Sequence, residues 1–258
     1  MTQSEDDIAN RLLLSLPKAS LNRLLPALEL RTTAKGDVIN RVDRPVEHYY
    51  FLNRGLISLV KLMEDGRSVE IGVIGIEGMT SPHTLFGFNR AAIEAIVQIP
   101  GSAFRIRSDL LRQLITEDDV LHETLARYAN FAFSAMAQTA ACNRLHFLEE
   151  RCCRWLLIAH DSARDDTFRL THEFLAMMLG VQRAGVTIAA NFLQKAGLIR
   201  YVHGQVTITN RSGLEEAACE CYAAMHKEYA KVARSGKTNK SYSFNRNNVR
   251  NRTERPAR

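Results

Sequence analysis

Cysteine and histidine are the first residues in this sequence whose types and spacing could do chemistry. His146, Cys153 and His160 recur every seven residues, so on a helix they would share one face. A helical rise of about 1.5 Å per residue separates them by about 10 Å, too far for zinc bonds of about 2.0–2.3 Å. Cys219 and Cys221 would point apart on a helix. We therefore predict no metal site, and an odd count of five cysteines argues against a disulfide framework.

A second group of polar residues lies in a pattern typical of nucleic-acid binding. THEFLAMMLG, residues 171–180, begins with a Thr suited to cap a helix, and Gly180-Val181-Gln182 can form a tight turn. RAGVTIAANFLQKAG then predicts a second helix that ends before Gly197. The following segment alternates apolar and polar residues about His203-Gly204, as a small hairpin would. Two helices, a Gly-containing turn and a hairpin predict a winged helix.

In a winged helix the second helix enters the major groove and its N-terminal residues reach base edges. The planar fork of Arg183 can bind guanine or clamp a phosphate, and Gln182 can bind adenine through two hydrogen bonds. From residue 166 to 211 five basic residues outnumber two acidic ones, which suits a DNA-facing surface. Use of the winged helix only for protein packing is the alternative. The residues that we predict to contact DNA are Thr171, Gln182, Arg183, Thr187, Asn191, Arg200 and His203.

The elements before the winged helix predict a β-rich domain and a long helix. Between Glu29 and Ile106 the chain offers short segments rich in β-branched and aromatic residues, separated by turns such as Glu64-Asp65-Gly66. Such strands predict a small sandwich or barrel. From about Asp118 to Arg144 the pattern becomes helical, and a helix from about His146 to His160 follows.

The long helix carries apolar and small residues on most of its surface, so it must be covered on more than one side. One side can meet the β domain, and a heptad-like set can meet a second copy of the chain. Burial in a monomeric core is the alternative. The predicted dimer interface consists of Leu121, Leu125, Tyr128, Ala132, Ala135, Thr139 and Cys142.

Composition and charge set the class of protein. A hydrophobic fraction of 46% predicts a globular chain, and the longest charge-free stretch, residues 128–143, is too short to span a membrane. The segment MTQSEDDIAN is acidic where a secretory signal would be basic and then apolar, so we predict a cytoplasmic protein. The net charge of +6 arises in residues 234–258, a tail with eight Lys or Arg and one Glu. That tail is predicted to be disordered, either adding unspecific attraction to DNA or having no role.

The order of β domain, long helix and winged helix resembles the Crp/Fnr family of bacterial transcription regulators. The residues that carry this resemblance are Gly36–Ile39, Tyr49–Gly55 with Ile57 and Leu59, and Leu179–Thr187. The resemblance implies an α+β fold with an N-terminal β-roll, a jelly roll like that of cyclic-nucleotide-binding domains. The domains expected are the sensor β-roll 12–115, a dimerisation helix 116–144, the winged helix-turn-helix 145–211, an extra helix 212–233 capped at Ser212, and the tail 234–258.

The family resemblance also implies a non-enzymatic homodimer that binds palindromic double-stranded DNA, contacts RNA polymerase and senses an effector through the β-roll. A β-roll module whose winged helix binds protein without DNA is the alternative function. Family members that bind cyclic AMP follow an arginine with Ser or Thr, whereas here Arg90 precedes Ala91, so cyclic AMP is not expected. No cysteine precedes Cys142 to hold an iron–sulfur cluster, and the effector stays unidentified. The predicted effector pocket comprises Glu77, Thr84 and Arg90.

Overall fold

A five-stranded antiparallel sheet forms the first half of the chain and helices dominate the second. The computed structural model describes residues 8–233, so the basic tail 234–258 lies outside the described residues. Within them the strands are Glu29–Thr33 (β1), Val38–Asn40 (β2), His48–Leu62 (β3), Ser68–Ile74 (β4), Glu94–Arg107 (β5), Thr167–Arg169 (β6), Ile199–Val202 (β7) and Gln205–Ile208 (β8). The helices are Arg11–Leu14 (α1), Lys18–Leu24 (α2), Ser108–Glu117 (α3), Asp119–Leu145 (α4), Leu148–Ala163 (α5), His172–Leu179 (α6), Arg183–Lys195 (α7), Arg211–Ala217 (α8) and Cys221–Ala233 (α9).

The first sheet has the strand order β1-β5-β3-β4, and β2 pairs with β5 as well. Alternate residues of β3 point into the core, where Tyr49 and Phe51 are fully buried, and Phe51 is paired with Phe104 of β5. Gly55 has φ +99°, and a Cβ there would lie 2.5 Å from the Ile99 carbonyl oxygen. Only glycine fits this close approach, which coincides with register shifts between β3 and β5. The predicted β-rich domain is confirmed.

The long helix α4 lies against this sheet. The Asp118 side chain caps it by accepting from the backbone N–H groups of Val120 and Leu121 at 3.1 and 3.0 Å. Leu121 and Leu125 are buried in the same apolar cluster as Phe51. The Tyr128 hydroxyl donates to the Met79 carbonyl oxygen at 3.3 Å. The predicted long helix is therefore present, and its inner face packs against the β domain of the same chain.

The prediction of the dimer face is wrong for most of its residues. Five of the seven predicted interface residues are already buried within the single chain: Leu121, Leu125, Tyr128, Thr139 and Cys142. A second copy could not reach them without displacing the core. The heptad pattern identified a real apolar stripe, but that stripe packs on the β-roll and on α9 rather than on a partner.

The segment after the wing is two helices rather than the single helix predicted from Ser212. The Asn210 side chain, and not that of Ser212, caps α8 by accepting from the Gly213 N–H at 2.9 Å. Ala218 leaves the helical conformation with ψ 150°, and α9 starts afresh at Cys221. The second helix then runs antiparallel along α4. Near its end the rings of Tyr229 and Phe131 lie 5.2 Å apart, edge to face.

The predicted helix-turn-helix and hairpin are both present. Thr171 caps α6 by accepting from the Phe174 N–H at 3.2 Å, and Gly180 ends the helix with φ +64°. The Val181 N–H returns to the Ala176 carbonyl oxygen at 3.0 Å, which closes the tight turn. Strands β7 and β8 form the wing, and β6 completes a three-stranded sheet in the order β6-β8-β7.

Candidate nucleic-acid interface

The N-terminal end of α7 presents the two side chains with the strongest predicted capacity to bind DNA. Gln182 is the residue before the helix, its side chain makes no capping hydrogen bond, and Arg183 is the first helical residue. Both are exposed. The opposite face is held by a buried set comprising Val186, Ala189, Ala190 and Leu193. Burial of that apolar face fixes the helix, and the polar end projects from the domain as a recognition helix would.

The outermost stripe of α7 includes residues that the sequence analysis did not select. Ala184, Ile188, Asn191 and Lys195 follow one another at four, three and four residues and are all exposed. Of these, Asn191 alone was predicted as a DNA contact. Ile188, at 67% exposure, is the large apolar residue of this stripe. The helical spacing could have identified these exposed residues, because their positions lie opposite the buried set.

Thr187 makes hydrogen bonds within the domain. Its hydroxyl donates to the Arg183 carbonyl oxygen at 3.1 Å and lies 3.0 Å from Nδ1 of His172. A hydroxyl has one proton, so when it donates to the Arg183 carbonyl oxygen, His172 Nδ1 is the donor in the second bond. Thr187 therefore links α7 to α6 within the domain. Its contact with DNA stays a prediction, and hydrogen bonds within the domain already engage its hydroxyl.

His172 is the residue that sequence reasoning missed. Its ring stacks on Tyr201 of the wing with centroids 4.3 Å apart, and the Tyr201 hydroxyl donates to the Leu170 carbonyl oxygen at 2.7 Å. Burial, aided by the nearby Arg183 guanidinium, lowers the pKa of His172, so the imidazole is neutral at pH 7. A neutral ring can stack and donate without adding charge. His172 thereby fixes α6, α7 and the wing relative to one another.

The remaining predicted contacts lie on and beside the wing. Arg200 is exposed on β7, and His203 is exposed at the turn with φ 48°. The Leu170 N–H donates to the Gly204 carbonyl oxygen at 2.9 Å, which brings the wing turn beside Thr171 at the start of α6. The structure thus places the wing turn beside Thr171, whereas Arg200 lies on strand β7.

One basic residue counted towards the DNA-facing charge is engaged inside the protein. Arg211 pairs with Asp161 at 2.8 Å and with Glu215 at 2.9 Å. On the acidic side, Asp166 pairs with His160 at 2.7 Å. The local positive charge available to a ligand therefore rests on the other four basic residues of this segment, Arg169, Arg183, Lys195 and Arg200. With Asp166 also paired, the positive excess predicted from the sequence is kept.

Comparison with known proteins matches the two halves of this architecture separately. Residues 30–118 match the family of cyclic nucleotide-binding domains, and residues 150–217 match the family of Crp-like helix-turn-helix domains. The two matches fall on the β-roll and on the winged helix, in the order that Crp/Fnr regulators have. The chain belongs to the Crp/Fnr family. It is a DNA-binding transcription regulator.

Individual Crp/Fnr relatives agree with this assignment. The transcriptional regulator SdrP of Thermus thermophilus is 25% identical over 189 residues, which covers 71% of this chain and 91% of that protein. The solved structure of FixK2 from Bradyrhizobium japonicum is 18% identical with a TM-score of 0.62, covering 74% of this chain and 98% of that one. A CRP-family transcriptional regulator from Thermus thermophilus, TTHB099, is 21% identical with a TM-score of 0.60, covering 73% and 96%. The two structures show the same fold.

A cavity of about 200 Å³ lies between the β-roll and the helices of this Crp/Fnr chain. Most of its lining is apolar, and it includes Leu59, Tyr128, Met136 and Tyr229. The carboxylate of Glu77 also lines it, and burial raises the pKa of that carboxyl group. No helix in residues 8–233 is long and apolar enough to cross a membrane.

The structure does not bring the three predicted effector residues together. Glu77 lines the cavity, but Thr84 is buried away from it, with its hydroxyl 2.6 Å from the Tyr49 hydroxyl. Arg90 is exposed and donates to the Asp43 carbonyl oxygen. A phosphate in the cavity would therefore lack Arg90, and the arginine that lines the cavity is Arg11. Of the predicted set Glu77, Thr84 and Arg90, this cavity therefore contains only Glu77.

A buried carboxyl group connects the β-roll to the winged-helix half. Glu70 of β4 accepts from the Trp155 indole N–H of α5 at 3.0 Å and from the Ser58 hydroxyl. Burial raises the pKa of Glu70 to about 8, against the weaker opposing effects of the two hydrogen bonds and Arg154. At neutral pH the group is mainly protonated. A neutral carboxylic acid is stable at this contact, whereas a carboxylate would need more compensation.

The cysteines do not lie as the sequence analysis assumed. Cys219 stands in the break before α9, and Cys221 begins that helix, so the two are not placed on one continuous helix. Cys142, His146, Cys219 and Cys221 meet at one point, although the heptad partners Cys153 and His160 do not join them. The separation of about 10 Å was predicted for His146, Cys153 and His160 on one helix, whereas the ligand atoms of this second group lie within 4.8 Å of one another.

Proposed function

We propose that this regulator acts as a homodimer that binds a palindromic DNA site and receives its signal at the β-roll. The observation that carries the proposal is the exposed N-terminal end of α7, with Gln182 and Arg183 projecting from a helix whose other face is buried. Arg183 would make two hydrogen bonds to guanine or clamp a phosphate. Asn191 and Lys195 extend the contact along the helix, and Arg200 and His203 of the wing with Thr171 would contact phosphates.

The dimer would form along a stripe of α4 that the single chain leaves open. Asn130, Phe133, Ala137, Ala140 and Arg144 follow at alternating spacings of three and four and are exposed. Phe133 is the large apolar residue of the stripe and is 71% exposed. Two copies packed here would bury both phenyl rings, and the small alanines would allow the helices to approach closely. This stripe replaces the buried one predicted from the sequence.

Signal reception would occur in the cavity between the β-roll and α4. Tyr128 and Met136 of α4 form part of its wall, so a ligand there would contact the helix that carries the proposed dimer stripe. The predominantly apolar lining favours a small molecule with few charges over a nucleotide. Contact with RNA polymerase is proposed from the family resemblance alone.

The exposed apolar side chains of α7 favour a second candidate function. Ile188 and Phe192 are 67% and 59% exposed and lie one turn apart. Such a pair would suit a helix that packs against another protein. In the DNA complex, Ile188 would instead lie against a thymine methyl group.

Selection from a pool of randomised DNA duplexes would test the proposal. The full chain and a version ending at Ala233 would be titrated at two salt concentrations. We expect enrichment of a palindrome with half-sites about 10 base pairs apart, retained without the tail. Unspecific binding that depends steeply on salt and disappears with the tail would contradict the proposal. In that case the second candidate function, packing of α7 against another protein, predicts that Ile188→Glu abolishes the contact with that protein.

A further inference from the structure

Four side chains of the kinds that bind transition metals converge at the end of the long helix. Cys142 belongs to the last turn of α4, His146 to the link between α4 and α5, and Cys219 and Cys221 to the junction of α8 and α9. One ligand atom from each residue lies within 4.8 Å of all the others. The Cys142 and Cys219 sulfurs are 3.5 Å apart, and the Cys221 sulfur is 3.6 Å from Nδ1 of His146.

These separations suit a tetrahedral metal centre. Zinc binds sulfur at about 2.3 Å and imidazole nitrogen at about 2.0–2.1 Å. A tetrahedron with these bonds has edges of about 3.8 Å between sulfurs and about 3.5 Å between sulfur and nitrogen. The two closest pairs therefore already stand near the required spacing, and the longer ones need small side-chain rotations.

We propose that Cys142, His146, Cys219 and Cys221 form a Zn²⁺ site of the Cys₃His class. Three soft thiolates and one imidazole favour zinc over oxygen-preferring cations such as Mg²⁺ and Ca²⁺. Because all four positions are supplied by protein, the centre is closed to water and would be structural. A catalytic zinc site would keep one position open.

The surroundings of the four ligands support this proposal. Gln138 donates a hydrogen bond from Nε2 to the Cys221 sulfur at 2.9 Å. Nε2 of His146 lies 3.8 Å from Oε1 of Glu220, so the nitrogen not facing Cys221 is directed at a carboxylate. Zinc with three thiolates carries one negative charge, and the buried Arg154 lies within electrostatic reach of Cys142. The site therefore has donors, an orienting carboxylate and a compensating cation.

The position of the site points to its role in the regulator. His146 belongs to the short link through which α4 continues into the winged-helix half. Cys219 and Cys221 lie at the start of α9, and this helix packs along α4 and lines the cavity. A metal here would fix the link and α9 to the end of α4. This regulatory role depends on the proposed function, whereas the existence of the site does not.

Metal analysis of the purified full chain, prepared without a histidine tag, tests the site directly. We expect about one equivalent of zinc per chain. After removal of zinc under reducing conditions, Co²⁺ should bind and give the visible absorption of a tetrahedral thiolate centre. Cys219→Ser should lose both signals, and Cys153→Ala, which alters a buried thiol outside the cluster, should keep them.

His146→Asn provides a second variant in case Cys219→Ser fails to fold. It changes the link without opening the core, and we expect at least a roughly tenfold weaker hold on zinc in competition with a colorimetric chelator. Absence of both zinc and Co²⁺ binding in the reduced chain would overturn the proposal. So would unaltered metal binding in Cys219→Ser, or a Cys142–Cys219 disulfide in place of metal.

DNA binding separates failure of the site from failure of the proposed function. Zinc removal should weaken binding to the selected palindrome and lower Tm, and restored zinc should reverse both effects. A chain that holds zinc but selects no palindrome would leave the site standing and overturn the proposed function. A chain that binds the palindrome but takes up neither zinc nor Co²⁺ would support the proposed function and overturn the metal site.

Discussion

The winged-helix surface and the cavity of the β-roll half differ in how their residues come together. Gln182, Arg183 and Asn191 lie within one helix and are exposed as the helical spacing predicts. The cavity is lined by residues as far apart as Leu59 and Tyr229. Of the three residues predicted for an effector, Glu77 lines it and Arg90 is exposed elsewhere.

This difference shows that a recognition helix is a local structure and a ligand cavity is not. Three turns of α7 suffice to define its exposed face once the buried face is identified. The cavity requires α4, α9 and the sheet to pack in one particular arrangement. Substitutions on the exposed face of the recognition helix should affect DNA contacts alone. Substitutions where elements pack together should affect both the β-roll half and the winged-helix half.

The largest effect is expected at the proposed dimer stripe. Phe133→Asp would place two carboxylates opposite each other in the interface, so the protein should become monomeric. Affinity for the palindrome should then fall by roughly 100-fold or more, because the two half-sites are no longer linked. Analytical ultracentrifugation and a binding titration would measure this, with Val120→Asp on another side of α4 as control. A persistent dimer would contradict the stripe.

Glu70 tests whether the β-roll and winged-helix halves are coupled through their contact. With a folded-state pKa of about 8 and an ordinary value of 4.5, the carboxyl binds its proton more tightly in the fold. Its contribution to stability is complete below pH 4.5 and is lost as pH rises towards 8, by about 1.4 kcal/mol per pH unit. Glu70→Gln should remove this slope.

Urea unfolding from about pH 5 to about pH 9 would measure the Glu70 effect, with the exposed Glu64→Gln as the matched control. The difference between wild type and Glu70→Gln should change with pH, and the difference for Glu64→Gln should not. Parallel curves for all three proteins would show that Glu70 is ionised in the fold and does not couple the two halves as described.

Arg183→Ala tests the local character of the recognition helix. Loss of one bidentate base contact costs about 1–3 kcal/mol, so affinity for the palindrome should fall by about 10- to 100-fold. Because the side chain is exposed, Tm should stay close to that of the wild type. Arg67→Ala, in an exposed hairpin of the β-roll, removes the same charge away from the interface. Equal losses in both variants would indicate only general electrostatic attraction.

Thr187→Val should affect stability more than DNA contact. The substitution removes the hydrogen bonds to His172 and to the Arg183 carbonyl oxygen, at a cost of about 1 kcal/mol in the free energy of unfolding. Asn191→Ala, on the exposed stripe, should change that free energy by less than about 0.5 kcal/mol. Chemical denaturation of both variants distinguishes the two roles. Unchanged stability in Thr187→Val would show that these two hydrogen bonds do not stabilise the domain.

The smallest effect is expected for Arg90→Ala. Arg90 is exposed and lies outside the cavity, so neither its removal nor the addition of cyclic AMP should change affinity for the palindrome. Isothermal titration with cyclic AMP and a DNA-binding titration would measure this. Tight binding of cyclic AMP that is lost in Arg90→Ala would show that the segment around Arg90 rearranges to form a phosphate site.

Prediction from sequence succeeded for the elements and failed for several of their faces. The helix cap at Thr171, the turn at Gly180 and the wing at His203-Gly204 depend on residues close in sequence. The apolar stripe through Leu121 and Tyr128 was also correctly recognised. The surface that covers this stripe was not predicted correctly, because any sufficiently apolar surface can cover it. Here the sheet and α9 cover it within the same chain.

The sequence by itself determined the order of β-roll, long helix and winged helix, and which end of α7 carries polar groups. Backbone geometry relates residues within a few turns, so these features follow from local spacing and turn chemistry. Only the tertiary structure decided which stripe of α4 stays open, what lines the cavity, and that Cys142 meets Cys219. Such contacts join residues dozens of positions apart, and their distances depend on how whole elements pack.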